Sequence, residues 1–94
     1  MSKVVNAAVE KLNEKIGSFE STAKFVIEDE GSIMIDESGA RAADDEAEVT
    51  LHASRDTFEG ILDGSVNPAT AFMTGKLKID GDMGTAMKLG QALS

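Results

Sequence analysis

The side chains here that could do acid–base or metal chemistry are one imidazole, His52, and seventeen carboxylates; there is no thiol. Without cysteine there is no disulfide, thiol nucleophile or thiolate metal site, and a single histidine excludes a histidine cluster for zinc. His52 shares one side of a strand-like run with Thr50 and Ser54, and no hydrolase signature accompanies it, which reads as a surface histidine. Asp80-Gly81-Asp82 has the look of a calcium-loop opening. An EF-hand would need glycine at the sixth position and glutamate at the twelfth, where this chain has Thr85 and Gln91. Asp82 therefore reads as a helix cap. The remaining acid pairs, Asp29 with Glu30, Asp36 with Glu37 and Asp44 to Glu46, fall in expected turns, where solvation explains them. Catalysis would need one of them buried with a raised pKa, and nothing in the pattern points to that. The expectation is a protein that is not an enzyme and uses no metal or cofactor.

The other notable group is apolar. The stretch from Ala71 to Leu89, AFMTGKLKIDGDMGTAMKL, sets Phe72, Met73, Met83 and Met87 on either side of a strand-like run. Methionine is flexible and polarizable, so it suits a surface that conforms to variable partners. Such a cluster is either plain core or the wall of a cavity for an oily ligand.

Net charge is −8, with lysines scattered singly and no basic stripe. That disfavours nucleic acid, and membrane contact is expected to be transient at most. The N-terminal MSKVVNAAVEKLNEK, with charges in every apolar run, reads as neither a signal peptide nor a spanning helix. The final Gln91-Ala92-Leu93-Ser94 is not a peroxisomal address. A cytoplasmic monomer of one domain, residues 1–94, is the expectation.

The elements that would position these residues follow from periodicity. Val5, Ala8, Val9, Leu12 and Ile16 make one helical stripe between Val4 and Ile16, closed by Gly17. Phe25 and Ile27, then Ile33 and Ile35, alternate with their neighbours around a Glu-Gly turn, as in a β-hairpin. A brief edge strand is expected near Ala40 to Ala42, and another strand carries Val49, Leu51 and Ala53 inward. Asp56 with Glu59 reads as a capping pair for a helix that turns Phe58, Ile61 and Leu62 inward and ends at Gly64. Asn67-Pro68 starts a short helix with Ala69, Phe72 and Met73 inward. Leu77 and Ile79 mark a last strand, reached through helices, which could pair in parallel with an earlier one. Met83, Ala86, Met87, Gly90 and Leu93 form the last helical stripe, with Leu89 at its edge. This is an α+β domain with helices over one face of a largely antiparallel sheet.

From about Asp56 to Leu93 the chain closely resembles the sterol carrier protein type-2 domain. The likeness rests on FEGILDG at Phe58–Gly64 and on three linked motifs: N-P-x-x-A-F from Asn67, G-K-L-K-I-x-G from Gly75 and M-G-x-A-M-K-L from Met83. The first half resembles the family only in element order. The resemblance implies a five-stranded sheet covered by helices and enclosing a hydrophobic tunnel. It further implies a non-catalytic protein that binds and transfers a fatty acid, fatty acyl-CoA or sterol-like lipid. By position, the lipid-binding residues carried over are Phe58, Ile61, Leu62, Phe72, Met73, Ile79, Met83 and Met87. The alternative is a small acidic protein-docking module without a lipid ligand, its apolar stripes being core.

Overall fold

A computed structural model describes residues 3–93. Met1, Ser2 and Ser94, which belong to the expected 1–94 domain, lie outside the described residues. In chain order the elements are α1 (Lys3–Lys15), β1 (Ala23–Ile27), β2 (Gly31–Asp36), β3 (Gly39–Ala42), β4 (Val49–Ala53), α2 (Arg55–Asp63), α3 (Pro68–Met73), β5 (Leu77–Gly81) and α4 (Met83–Leu93). The sheet has five strands in the order β3-β2-β1-β4-β5. The α+β class, the five strands and the helical cover expected from the sequence are all present.

Alternation sets the two faces of the sheet. Ala23, Phe25 and Ile27 on β1 and Val49, Leu51 and Ala53 on β4 are buried, and with Leu77 of β5 they join one core beneath the helices. The helix α1 adds Val5, Ala8 and Leu12 to that core. Asn13, on the outer side of α1, takes a second role. Its amide donates to the Ala40 carbonyl at 3.0 Å, and its side-chain oxygen accepts from the Ala40 N–H at 2.8 Å. These two bonds tie the helix to β3, the strand whose exposed edge would otherwise have unpaired backbone groups.

The chain makes a meander through β1, β2 and β3, both pairings antiparallel. It then returns across β2 and β1 to β4. Residues 43–48 carry this return over the face away from the helices, where Asp44 meets Lys24 Nζ of β1 at 2.8 Å. The crossover makes β4 parallel to β1, with Ala23 opposite Val49 and Ile27 opposite Ala53. The last strand, by contrast, pairs antiparallel with β4. The parallel pairing that the sequence reading offered to β5 thus belongs to β1 and β4, made by the earlier crossover. Met34 departs from the alternation. It sits on the face that alternation marks as wet, between its cross-strand neighbours Lys24 and Arg41, yet it is buried. The alkyl stems of such neighbours can cover an apolar side chain while their charged ends reach water.

Helix boundaries follow local capping. Ser54, still extended at φ −71° and ψ 163°, accepts from the Thr57 N–H and begins α2, so Ser54 replaces the Asp56 cap read from the sequence. Asp56 instead lies in the first turn, where its charge suits the helix dipole. Gly64 ends α2 in the left-handed conformation at φ 87°. Gly60 allows the following turn to fold back, because a Cβ there would collide with Val66 Cγ2. Asn67 caps α3 by accepting from the Ala69 and Thr70 N–H groups. Asp82 caps α4, accepting from the Thr85 N–H at 3.1 Å and from the Thr85 hydroxyl.

The Thr85 hydroxyl, and then its backbone N–H, hold the Asp82 carboxyl below the usual carboxylate range. The Arg41 guanidinium and the Ser38 N–H do the same for Asp36. A carboxyl with a lower pKa folded than unfolded contributes stability above its unfolded pKa, about 3.9, and loses it as pH falls through the folded value. Melting temperature should therefore drop as the solution is acidified through and below about pH 4. Asp82→Asn keeps a capping oxygen but cannot titrate. Its melting temperature at neutral pH should fall below wild type, because the charge-dependent part of the cap is lost, and its acid-induced drop should be smaller, as measured by thermal unfolding across pH.

Candidate functional site

The helix α4 lies on the sheet through Thr85, Ala86, Leu89 and Leu93, all buried. At about 100° per residue, Met83, Met87 and Gly90 stand roughly 100–160° around the helix from Leu89. They face sideways, toward α3. This corrects the sequence reading, which centred the stripe on Met87 and put Leu89 at its edge. The apolar sector of α4 is wider than the face that touches the sheet, so periodicity alone could not choose the inner half. The short α3 behaves similarly. Only Ala71 is buried, whereas Ala69, Phe72 and Met73, expected inward, are exposed.

Between the two helices and the sheet lies a cavity of about 350 Å³. Its floor is Phe25, Leu51, Leu77 and Ile79 from three strands, with Ile61 of α2 behind. One wall is α3, through Pro68, Phe72 and Met73; the other is α4, through Met83, Met87 and Gly90. Asn67 and Gln91 supply its polar lining side chains, and none of the described lining residues is titratable. The cavity opens to solvent between the helices. Among the described residues, the large apolar side chains left exposed are Phe72 at 43 %, Met73 at 83 %, Met83 at 44 % and Met87 at 65 %, and all four are on this groove.

Six of the eight residues singled out from the sequence line this one cavity: Ile61, Phe72, Met73, Ile79, Met83 and Met87. Phe58 and Leu62 do not. They border a separate hollow of about 220 Å³ between α1 and α2, with Ala8 and Lys11 opposite. Phe58 reaches the groove only through Phe25, whose ring it meets edge-on at a centroid distance of 4.9 Å. The reason is helical phase: α2 turns Ile61 toward the groove, and Phe58 and Leu62 toward α1. The sequence reading missed Phe25, Leu51 and Leu77 as lining residues. All three were recognisable as inward-facing strand residues, but their convergence under α3 and α4 depends on β1, β4 and β5 being adjacent.

An α+β domain with an apolar groove between sheet and helices is the class that this fold and site define. The sequence profile of the SCP-2 sterol transfer family matches residues 3–94, and the chain belongs to that family. Over 47 residues, half of this chain, it is 45 % identical to sterol carrier protein 2 of Bos taurus, of which it covers 9 %. Over 50 residues, 53 % of this chain, it is 42 % identical to the hydroxysteroid dehydrogenase-like protein 2 of Bos taurus, of which it covers 12 %. The chain therefore spans only about a tenth of the length of these relatives. Among solved structures, sterol carrier protein 2 from Aedes aegypti in complex with the C16 fatty acid palmitate superposes with a TM-score of 0.79. The match has 20 % identity and covers all of this chain and 97 % of that one. The sterol carrier protein domain 2 of Helicoverpa armigera gives 0.71 at 24 % identity, over 97 % of this chain and 83 % of that one. These two likenesses show the shared fold. No helix among the described residues is long and apolar enough to cross a membrane.

The groove makes a contrast within one helix. Leu89 is fully buried, so Leu89→Ala should cost about 2–5 kcal/mol. Met87 faces the open groove, so Met87→Ala creates no sealed void and should cost less than about 1 kcal/mol. Denaturant unfolding of the lipid-free variants checks both values; a cost above about 2 kcal/mol for Met87→Ala would make it a core residue.

Proposed function

We propose that the chain is a non-catalytic carrier that holds a fatty acyl lipid in the groove between α3, α4 and the sheet. The observation that carries this reading is the convergence of every exposed large apolar side chain among the described residues on one uncharged cavity. A protein surface rarely leaves such a patch without a use. The uncharged lining supports holding a ligand over transforming it, because a reaction would need an acid, base or nucleophile there.

Size supports an acyl chain. A cavity of about 150 Å³ accommodates the six carbons of benzene. On that scale 350 Å³ takes roughly fourteen carbons. Palmitate, named in the solved complex of the mosquito protein, is close to this length. The groove residues that would hold the chain are Ile61, Phe72, Met73, Ile79, Met83 and Met87, with Phe58 behind Phe25. Asn67 and Gln91 are the polar groups available to a carboxylate or thioester head.

Each buried methylene contributes about 0.8 kcal/mol, less the cost of ordering the chain. Affinity for saturated fatty acids should thus rise with length from eight to sixteen carbons, as read by displacement of a fluorescent fatty acid. Ligand at about a hundred times its dissociation constant adds roughly 2.7 kcal/mol, which for a domain of this size raises the melting temperature by about 10 °C or more. A flat length series, with delipidated and palmitate-saturated protein melting together, would instead favour a docking module without lipid.

A further inference from the structure

We infer that Gly90 is a specificity-determining residue: the side chain it lacks sets how long an acyl chain the groove accepts. The inference rests on the carrier reading and adds to it the position that limits the ligand.

Gly90 lies inside α4, with helical residues on both sides of it. Glycine there weakens a helix relative to alanine, because it gives the unfolded chain more freedom. Two folding reasons for a glycine occur elsewhere in this chain. Gly64 takes a left-handed φ, and a Cβ at Gly60 would collide with Val66. Neither reason holds at Gly90. Its backbone is helical, and a Cβ built on it would lie 4.0 Å from the Pro68 Cβ, an ordinary contact distance. The fold has room for alanine, and the helix would gain from it. A local rule broken without a folding reason points to function.

The place of Gly90 supplies that reason. It lines the groove on the same flank of α4 as Met83 and Met87, so two wall positions carry a long apolar side chain and the third carries none. Pro68, on the opposite wall, is already at contact distance from the first carbon that a side chain would add. Beyond that carbon, a side chain at position 90 would lean toward the start of α4, as helical side chains do, and lie over Ala86 and Met87. Both of these line the groove. With Pro68 closing the way across, the added atoms would extend along the cavity. The space left empty at Gly90 is ligand space. If about 150 Å³ holds six carbons, the four side-chain carbons of a leucine would take roughly 100 Å³ of the cavity and leave room for about ten carbons instead of fourteen. Each methylene returned to water weakens binding about fourfold.

The test is displacement of a fluorescent fatty acid by decanoate and by palmitate from the full chain and its variants, with thermal unfolding of the lipid-free proteins alongside. Gly90→Leu should bind decanoate like wild type and palmitate on the order of 100-fold more weakly. Gly90→Ala should raise the lipid-free melting temperature by about 4–8 °C and weaken palmitate binding roughly fourfold. Gly84→Ala is the control on the same helix. A Cβ there meets nothing nearer than the Asp82 carboxylate at 3.7 Å and lies outside the groove, so palmitate should bind as to wild type. Equal weakening of both fatty acids in Gly90→Leu, wild-type palmitate affinity in either Gly90 variant, or a lowered melting temperature of Gly90→Ala would each overturn the inference. Should the leucine variant fail to fold, Gly90→Ala decides through its melting temperature and its palmitate affinity. Failure of wild type to bind either fatty acid would overturn the carrier reading itself.

Discussion

Seating α4 on the sheet through Thr85, Ala86, Leu89 and Leu93 is the constraint on which the groove depends. Once Leu89 is buried, helical geometry leaves Met83, Met87 and Gly90 no position except the flank that faces α3. The α3 helix is too short to answer with a full apolar stripe and buries Ala71 alone. Two helices that each dock on the sheet by one narrow face leave a gap between them. The apolar side chains that cannot reach the sheet line that gap. The cap at Asp82 matters for the same reason, because it fixes where α4 begins and hence which residues face down.

The rest of the fold supports the floor of this gap. The crossover of residues 43–48 makes β4 the neighbour of β1, and β5 then adds to β4 as the outer strand. Phe25, Leu51, Leu77 and Ile79, distant in sequence, come together only through that order. Phe58 holds Phe25 from beneath, edge to face. Its position behind the floor explains why a residue of the family-like FEGILDG segment can support the groove without lining it.

Much of this was legible in the sequence. Alternation marked Phe25, Ile27, Leu51 and Leu77 as inward, and Asn67-Pro68 and Gly64 marked helix ends correctly. What could not be read was phase and partnership. The apolar residues of α4 span more of its circumference than one contact uses, so Leu89 and Met87 looked interchangeable by spacing. The cap of α2 moved from Asp56 to Ser54 because capping depends on where β4 ends, which is decided by pairing with β1 and β5. Parallel pairing was offered to the wrong strand because a six-residue crossover without a helix gives no periodic signal.

If Met73, Met83 and Met87 are the wall of a site that an acyl chain fills, methyl-labelled methionine observed by NMR during a palmitate titration will show it residue by residue. The expected result is that the signals of Met73, Met83 and Met87 shift together with one dissociation constant. Met34, buried on the opposite face of the sheet, should stay in place. Unmoved groove methionines at saturating palmitate, or a shift confined to Met34, would contradict the lipid-filled groove.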